Sequence, residues 1–91
     1  MSSGNVRELI KAGAKIVDVR TPDEFEDESY PGAVNIPLSV LPARMGELGP
    51  KDGPIVLYCA SGARSAHAAR LLAASGFTKA VNAGGIDDMP R

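Results

Sequence analysis

Ile55-Val56-Leu57-Tyr58-Cys59-Ala60-Ser61-Gly62-Ala63-Arg64-Ser65 is the stretch from which the rest of the chain is best understood. Ile55 to Tyr58 is an uninterrupted apolar run bounded by a Pro-Gly-rich segment, which reads as a buried strand. A helical pattern, Ala-rich and closed by Gly76, follows from Ser65 to Ser75. A strand, a short glycine loop and a helix N-terminus together turn backbone N–H groups toward one point and favour an anion there. Cys59, the single cysteine, stands at that point. A cysteine so placed is stabilised as thiolate, its nucleophilic form.

An ordinary cysteine has a pKa of about 8.5 and is only ~3% ionised at neutral pH. Lowering that value by ~2 units takes roughly 2.7 kcal/mol of preferential stabilisation. Loop amides, a helix N-terminus and Arg64 are together able to supply it. A lone cysteine at a strand end is ordinarily an inert core residue. Such a residue does not need a glycine loop and an arginine directly after it.

The 91 residues make one small domain, 1–91. The hydrophobic fraction of 44% supports one core, but with no Trp and two each of Tyr and Phe, small aliphatic side chains do most of the packing. Ten basic and eleven acidic residues leave a net charge of −1, which argues against a nucleic-acid surface or a polybasic membrane patch. One cysteine excludes an intrachain disulfide and a Cys-cluster zinc site. Apolar runs are too short to span a bilayer, and the first residues lack the basic and apolar regions of a leader. With a free thiol, these features make the cytoplasm the expected location.

Outside the quoted stretch, residues 5–12 read as a helix stopped by Gly13, and Ile16-Val17-Asp18-Val19 as a short strand. Thr21-Pro22-Asp23-Glu24 carries a capping box with Pro at the first helical position, and Phe25 is the expected anchor of that short acidic helix. Tyr30-Pro31-Gly32 is a turn, and Ala33 to Ile36 a strand ended by Pro37. Ser39 is expected to cap a helix through Leu41, Met45 and Leu48. Gly49 to Pro54 is a loop, Lys79 to Asn82 a strand, and Gly84-Gly85 a further loop. Alternating strands and helices predict an α/β fold with a mainly parallel sheet and helices on both faces. Ligands bind such sheets at the carboxyl ends of strands, where Cys59 stands.

Among the loop residues, Gly62 lets the amides turn inward. Ser61 and Ser65 read either as hydrogen-bond donors or simply as loop and N-cap residues, with capping the favoured role for Ser65. Ala60 and Ala63 complete the loop. Arg64 at a helix start opposes the macrodipole, which favours a role toward the thiolate or an anionic substrate. Arg20 is expected to pair with Glu24, His67 to be a surface or packing residue, and Asp23 to Glu28 to form a solvated face.

Four segments in order resemble the rhodanese domain, of the small single-domain sulfurtransferase kind. They are Asp18-Val19-Arg20 with Glu24-Phe25, then Pro31-Gly32-Ala33-Val34-Asn35-Ile36-Pro37, then Cys59-x-x-Gly62-x-Arg64-Ser65, and last Asn82 to Gly85. The chain departs from the family pattern at Ser29-Tyr30, where His-Ile is frequent, and at Met89, where many members have Trp. The resemblance implies a small sheet of about four to five strands. It also implies a persulfide mechanism without cofactor or metal. Cys59 takes a sulfane sulfur from a donor such as thiosulfate and passes it to cyanide or a thiol, with Ala60 to Ser65 as the substrate-binding loop. A sulfur-accepting protein is a further acceptor class.

Two other readings remain open. Cysteine phosphatases, some on the same fold, and arsenate reductases also place a thiolate ahead of an arginine. Those phosphatases have one residue more between the two; the loop here has four, Ala60 to Ala63. A non-catalytic regulatory module is the other reading, and the presence of Cys59 counts against it.

Overall fold

The computed structural model describes residues 3–91, with side chains from Asn5 onward. The expectation about a leader rests in part on Met1 and Ser2, which lie outside the described residues. The chain forms α1 (Ser3–Lys11), β1 (Lys15–Asp18), α2 (Pro22–Asp27), β2 (Val34–Asn35), α3 (Leu41–Arg44), β3 (Ile55–Cys59), α4 (Ala63–Ala74) and β4 (Ala80–Gly85). Short 3₁₀ turns occupy Leu38–Val40, Met45–Leu48 and Ile86–Asp88.

β3 lies inside the sheet because all five of its residues are apolar enough to be buried on both faces. The four-stranded sheet has the order β2-β1-β3-β4, and every pair is parallel. The two-residue side-chain period then sorts β3 between two cores. Ile55, Leu57 and Cys59 join Val17, Val19, Leu41, Ala68, Leu72 and Phe77, under α3 and α4. Val56 and Tyr58 join Val6, Ile16, Ala83 and Met89, under α1. The chain runs from β1 outward to β2 and then back across to β3. The carboxyl ends of β1 and β3 therefore form the topological switch point, where such sheets hold ligands.

α4 buries Ser65, Ala68 and Leu72 on one stripe. It ends in a Schellman motif: the Gly76 N–H donates to the Ala73 carbonyl at 3.1 Å and the Phe77 N–H to that of Leu72 at 2.9 Å. Phe77 and Leu72 then share the same core. At α2, Thr21 and Glu24 form the expected capping box, but no residue of that helix is buried and Phe25 is only half-covered.

Three elements differ from the sequence expectation. The helix expected from Ser39 is one α turn, Leu41–Arg44, between 3₁₀ turns, with no side-chain cap. Pro42 inside it and Gly46 and Gly49 after it leave no room for a longer helix. β2 keeps only Val34 and Asn35 of the expected Ala33 to Ile36. β4 runs on to Gly85, through the expected loop. It carries one extra residue there, since Leu57 faces Asn82 while Cys59 faces Gly85.

The largest correction concerns Arg20. It pairs with Asp18, not Glu24. Asp18 is fully buried at the end of β1, so its charge needs a partner inside the fold. The Arg20 backbone N–H and Nη2 each reach the carboxylate at 2.8 Å, and Nε reaches both oxygens at 3.1 Å. Nη2 also donates to the Glu28 carbonyl at 2.5 Å, and the guanidinium lies 5.6 Å over the Tyr58 ring. Burial, foremost, and the Asp18 carboxylate push the Tyr58 phenol up to about 12, against the pull of the Tyr30 N–H it accepts. Asn35 closes the arrangement by donating to the carbonyls of Asp18 and Arg20 at 3.0 Å each.

Removing one partner of a buried ion pair strands the other charge, so Arg20→Ala should lower unfolding stability by about 3–5 kcal/mol. Arg44→Ala breaks only the exposed pair with Glu47 and should change stability little. Urea unfolding of both variants checks this; equal midpoints would show that the Asp18 pair is not a structural support.

Candidate functional site

α4 begins without a side-chain cap of its own. Its first orphan amides need acceptors, and the Cys59 sulfur provides one. Sγ accepts the Gly62 N–H at 3.0 Å and the Ser65 N–H at 3.4 Å, with the Ser65 hydroxyl at 3.5 Å. Gly62 holds φ at +104°, a left-handed conformation that favours glycine and lets its N–H face the sulfur. Cys59 itself is 1% exposed. Burial pushes its thiol up, but the hydrogen bonds from Ser65, Gly62 and Ser61 outweigh it, and the thiol lies below its ordinary value.

Ser65 is therefore not the N-cap. It lies in the first turn of a helix that starts two residues earlier, at Ala63, and is fully buried. Its oxygen lies 2.6 Å from Asn82 Oδ1, which also accepts the Gly84 N–H at 2.9 Å. A hydroxyl carries one proton. Asn82 is its nearest acceptor, so the backbone amides are the donors permanently committed to the sulfur. Asn82 also donates to the Gly62 carbonyl at 3.4 Å, tying β4 to the loop.

The loop rests on the two glycines of β4. A Cβ on Gly85 would stand 2.3 Å from the Ala60 carbonyl oxygen, and one on Gly62 would stand 3.3 Å from Gly84 Cα. Only glycine at position 85 lets the strand approach this closely. Ala60, Ser61 and Ala63 are exposed on the outer side of the loop. His67 is exposed as well.

Arg64 projects across to α2. Its Nη1 and Nη2 donate to Glu24 Oε1 and Oε2 at 2.8 and 3.0 Å, a bidentate pair. Arg64 is raised above its ordinary value, by the Glu24 hydrogen bond foremost and also by the Cys59 charge. Arg64 also borders a largely apolar cavity of about 280 Å³, walled by Val19, Thr21, Pro37, Leu38 and Ser39. A second cavity of about 270 Å³ lies between Tyr30, Pro31, Ile86, Met89 and Pro90. Met89 belongs to the core under α1, on the sheet face opposite Cys59. Among the described residues, no three of His, Cys, Asp and Glu gather as metal ligands. No helix there is long and apolar enough to cross a membrane.

Of the sequence-predicted residues Cys59 to Ser65, Gly62 and Ser65 bond the sulfur, Ala60, Ser61 and Ala63 have exposed side chains, and Arg64 pairs with Glu24. Three neighbours of the site lie outside that stretch: Glu24, Asn82 and Gly85. Asn82 and Gly85 belong to the last of the four segments that carry the rhodanese resemblance. Glu24 gave no signal, because its place in the capping box already accounts for it.

Residues 2–89 match the family model described as Rhodanese-like domain. A protein named sulfurtransferase from Allochromatium vinosum is 43% identical over 72 residues, spanning 78% of this chain and 66% of that protein. Thiosulfate sulfurtransferase PspE of Escherichia coli is 36% identical over 74 residues, spanning 80% and 71%. The chain thus spans roughly two thirds of the length of these relatives. A solved structure of a rhodanese with anions from E. coli superposes with a TM-score of 0.80 at 34% identity, covering 86% of this chain and 95% of that one. The human single-domain sulfurtransferase TSTD1 gives a TM-score of 0.80 at 29% identity, covering 93% and 88%.

Iodoacetamide alkylation of Cys59 should show a pH midpoint below the ordinary thiol value of about 8.5. Gly85→Ala should force the Ala60 carbonyl away, disturb the amide cradle and move that midpoint upward. A Gly85→Ala midpoint identical to that of the native chain would mean that β4 does not hold the loop in place.

Proposed function

The chain belongs to the rhodanese-like domain family, and on that premise we propose that it is a sulfurtransferase carrying sulfane sulfur as a persulfide on Cys59. The observation that carries this reading is the set of amides aimed at Sγ from Gly62 and Ser65. They favour the thiolate needed for attack and suit an anion that stays in place between two half-reactions.

In the first half-reaction the thiolate attacks the outer sulfur of a donor such as thiosulfate. The donor S–S bond breaks, its electron pair leaves with sulfite, and Cys59 becomes a persulfide. In the second, cyanide or a thiolate attacks the terminal sulfur and the Cys59 thiolate is released. Arg64 is the residue to meet the donor's sulfonate, and the Gly62 and Ser65 amides hold the sulfur that carries the transferred atom. The transfer exchanges one sulfur for one electron pair in each direction and calls for no cofactor. The relative named for thiosulfate supports the donor class. A protein thiol is an acceptor of the same chemistry. The free thiol suits the cytoplasm, where it stays reduced.

The small loop supports sulfur over phosphate chemistry. Four residues separate Cys59 from Arg64, and the amides close on the sulfur itself, leaving little room for three equatorial phosphate oxygens. Turnover of an aryl phosphate should stay at background.

Thiosulfate treatment should add one sulfur atom to the intact mass, and cyanide should remove it. Cys59→Ser should keep the fold, take up no sulfur and lose transfer almost entirely. Arg64→Ala should cost about 1.5–3 kcal/mol in kcat/KM for thiosulfate, the size of a charge-assisted contact. Transfer by a folded Cys59→Ser protein would overturn the assignment.

A further inference from the structure

Glu24 lies forty residues before Arg64, yet its carboxylate takes two of the guanidinium's N–H groups, at 2.8 and 3.0 Å. The same carboxylate accepts the Thr21 N–H at 3.0 Å, so α2 fixes it in position. Arg64 hydrogen bonding, foremost, and the Thr21 N–H hold Glu24 down at about 2, so it is ionised throughout the neutral range. The cation nearest the reactive loop is therefore met by an anion of the same chain. Both side chains remain about one-third exposed, at 37% and 34%, and such a pair is weak enough for an incoming anion to compete with.

We propose that Glu24 is a positioning residue that sets charge selectivity at Cys59, by occupying Arg64 until a small anionic reactant displaces it. This deepens the sulfurtransferase reading by stating which donors the site favours. A strongly anionic donor such as thiosulfate must exchange with Glu24 to reach Arg64. An uncharged reactant reaches the sulfur with the pair closed and gains nothing from breaking it. The device responds to charge and not to neutral-range pH, because Glu24 does not titrate there.

The test uses Cys59 alkylation by two reagents of similar shape, anionic iodoacetate and neutral iodoacetamide. Their rate ratio cancels the thiolate fraction and needs no sulfur transfer. Glu24→Gln retains an oxygen for the Thr21 N–H but loses the charge, and should raise the ratio about three- to tenfold, less so at high salt. Glu24→Asp keeps the charge but is too short for the bidentate seat, and should give an intermediate rise. An unchanged ratio in a folded Glu24→Gln protein would overturn the proposal. A rise in Glu24→Gln with none in Glu24→Asp would also overturn it, since charge alone would then explain the effect. In the thiosulfate assay, KM should fall by more than kcat changes. A moved alkylation ratio beside a thiosulfate reaction that does not occur would leave the selectivity standing and remove the donor assignment.

Discussion

A helix needs acceptors for its first amides, and here a reactive sulfur is one of them. The Gly62 and Ser65 N–H groups converge on Cys59 Sγ because β3 delivers the sulfur to the place where a capping side chain would sit. The same contacts serve two ends. They start α4, and they favour the ionised sulfur. Neither could be improved separately: a serine or aspartate cap would serve the helix and remove the chemistry. The surrounding structure follows from keeping strand, loop and helix in register around one atom. Asn82 ties β4 to the loop, and Gly85 lets that strand approach the Ala60 carbonyl.

The other strand at the switch point is held by a different device. Asp18 is buried and charged, and Arg20 returns over it while lying on Tyr58. Asn35 bonds the carbonyls on either side of that turn. Two of the four segments that carried the family resemblance meet here, and they meet for structural reasons. A charged turn anchored in this way gives α2 a fixed origin. Thr21 and Glu24 follow directly from it, so the anchoring of β1 also fixes the carboxylate that reaches Arg64.

Strong local patterns are legible in the sequence. The β3 run, the capping box at Thr21 and the glycine stop of α4 lie where their local patterns place them, because each is specified within a few residues, whereas α4 itself begins at Ala63, two residues before its pattern. The failures have a common cause. Ser65 resembled an N-cap because capping preferences describe side-chain oxygens, and no rule of spacing anticipates a sulfur from the preceding strand. Arg20 was paired with Glu24 because they are close in sequence and opposite in charge. The actual partner was decided by burial, which gave Asp18 the greater need. Glu24 and Arg64 are forty residues apart and meet only in three dimensions, and no periodicity encodes that. The extra residue in β4 was hidden for a related reason: a Gly-Gly pair signals a loop locally, while the neighbouring strand makes it a bulge.

The outermost strand on one side is only two residues long, Val34 and Asn35. Pro31 and Pro37 bracket it in the sequence, and proline supplies no N–H for a ladder. A foreign strand arriving at this edge would find too few backbone groups in register to add itself to the sheet. The segment that helps to frame the switch point therefore also blunts one margin against polymerisation, and does so with the conformational limits of two prolines instead of a screen of charges.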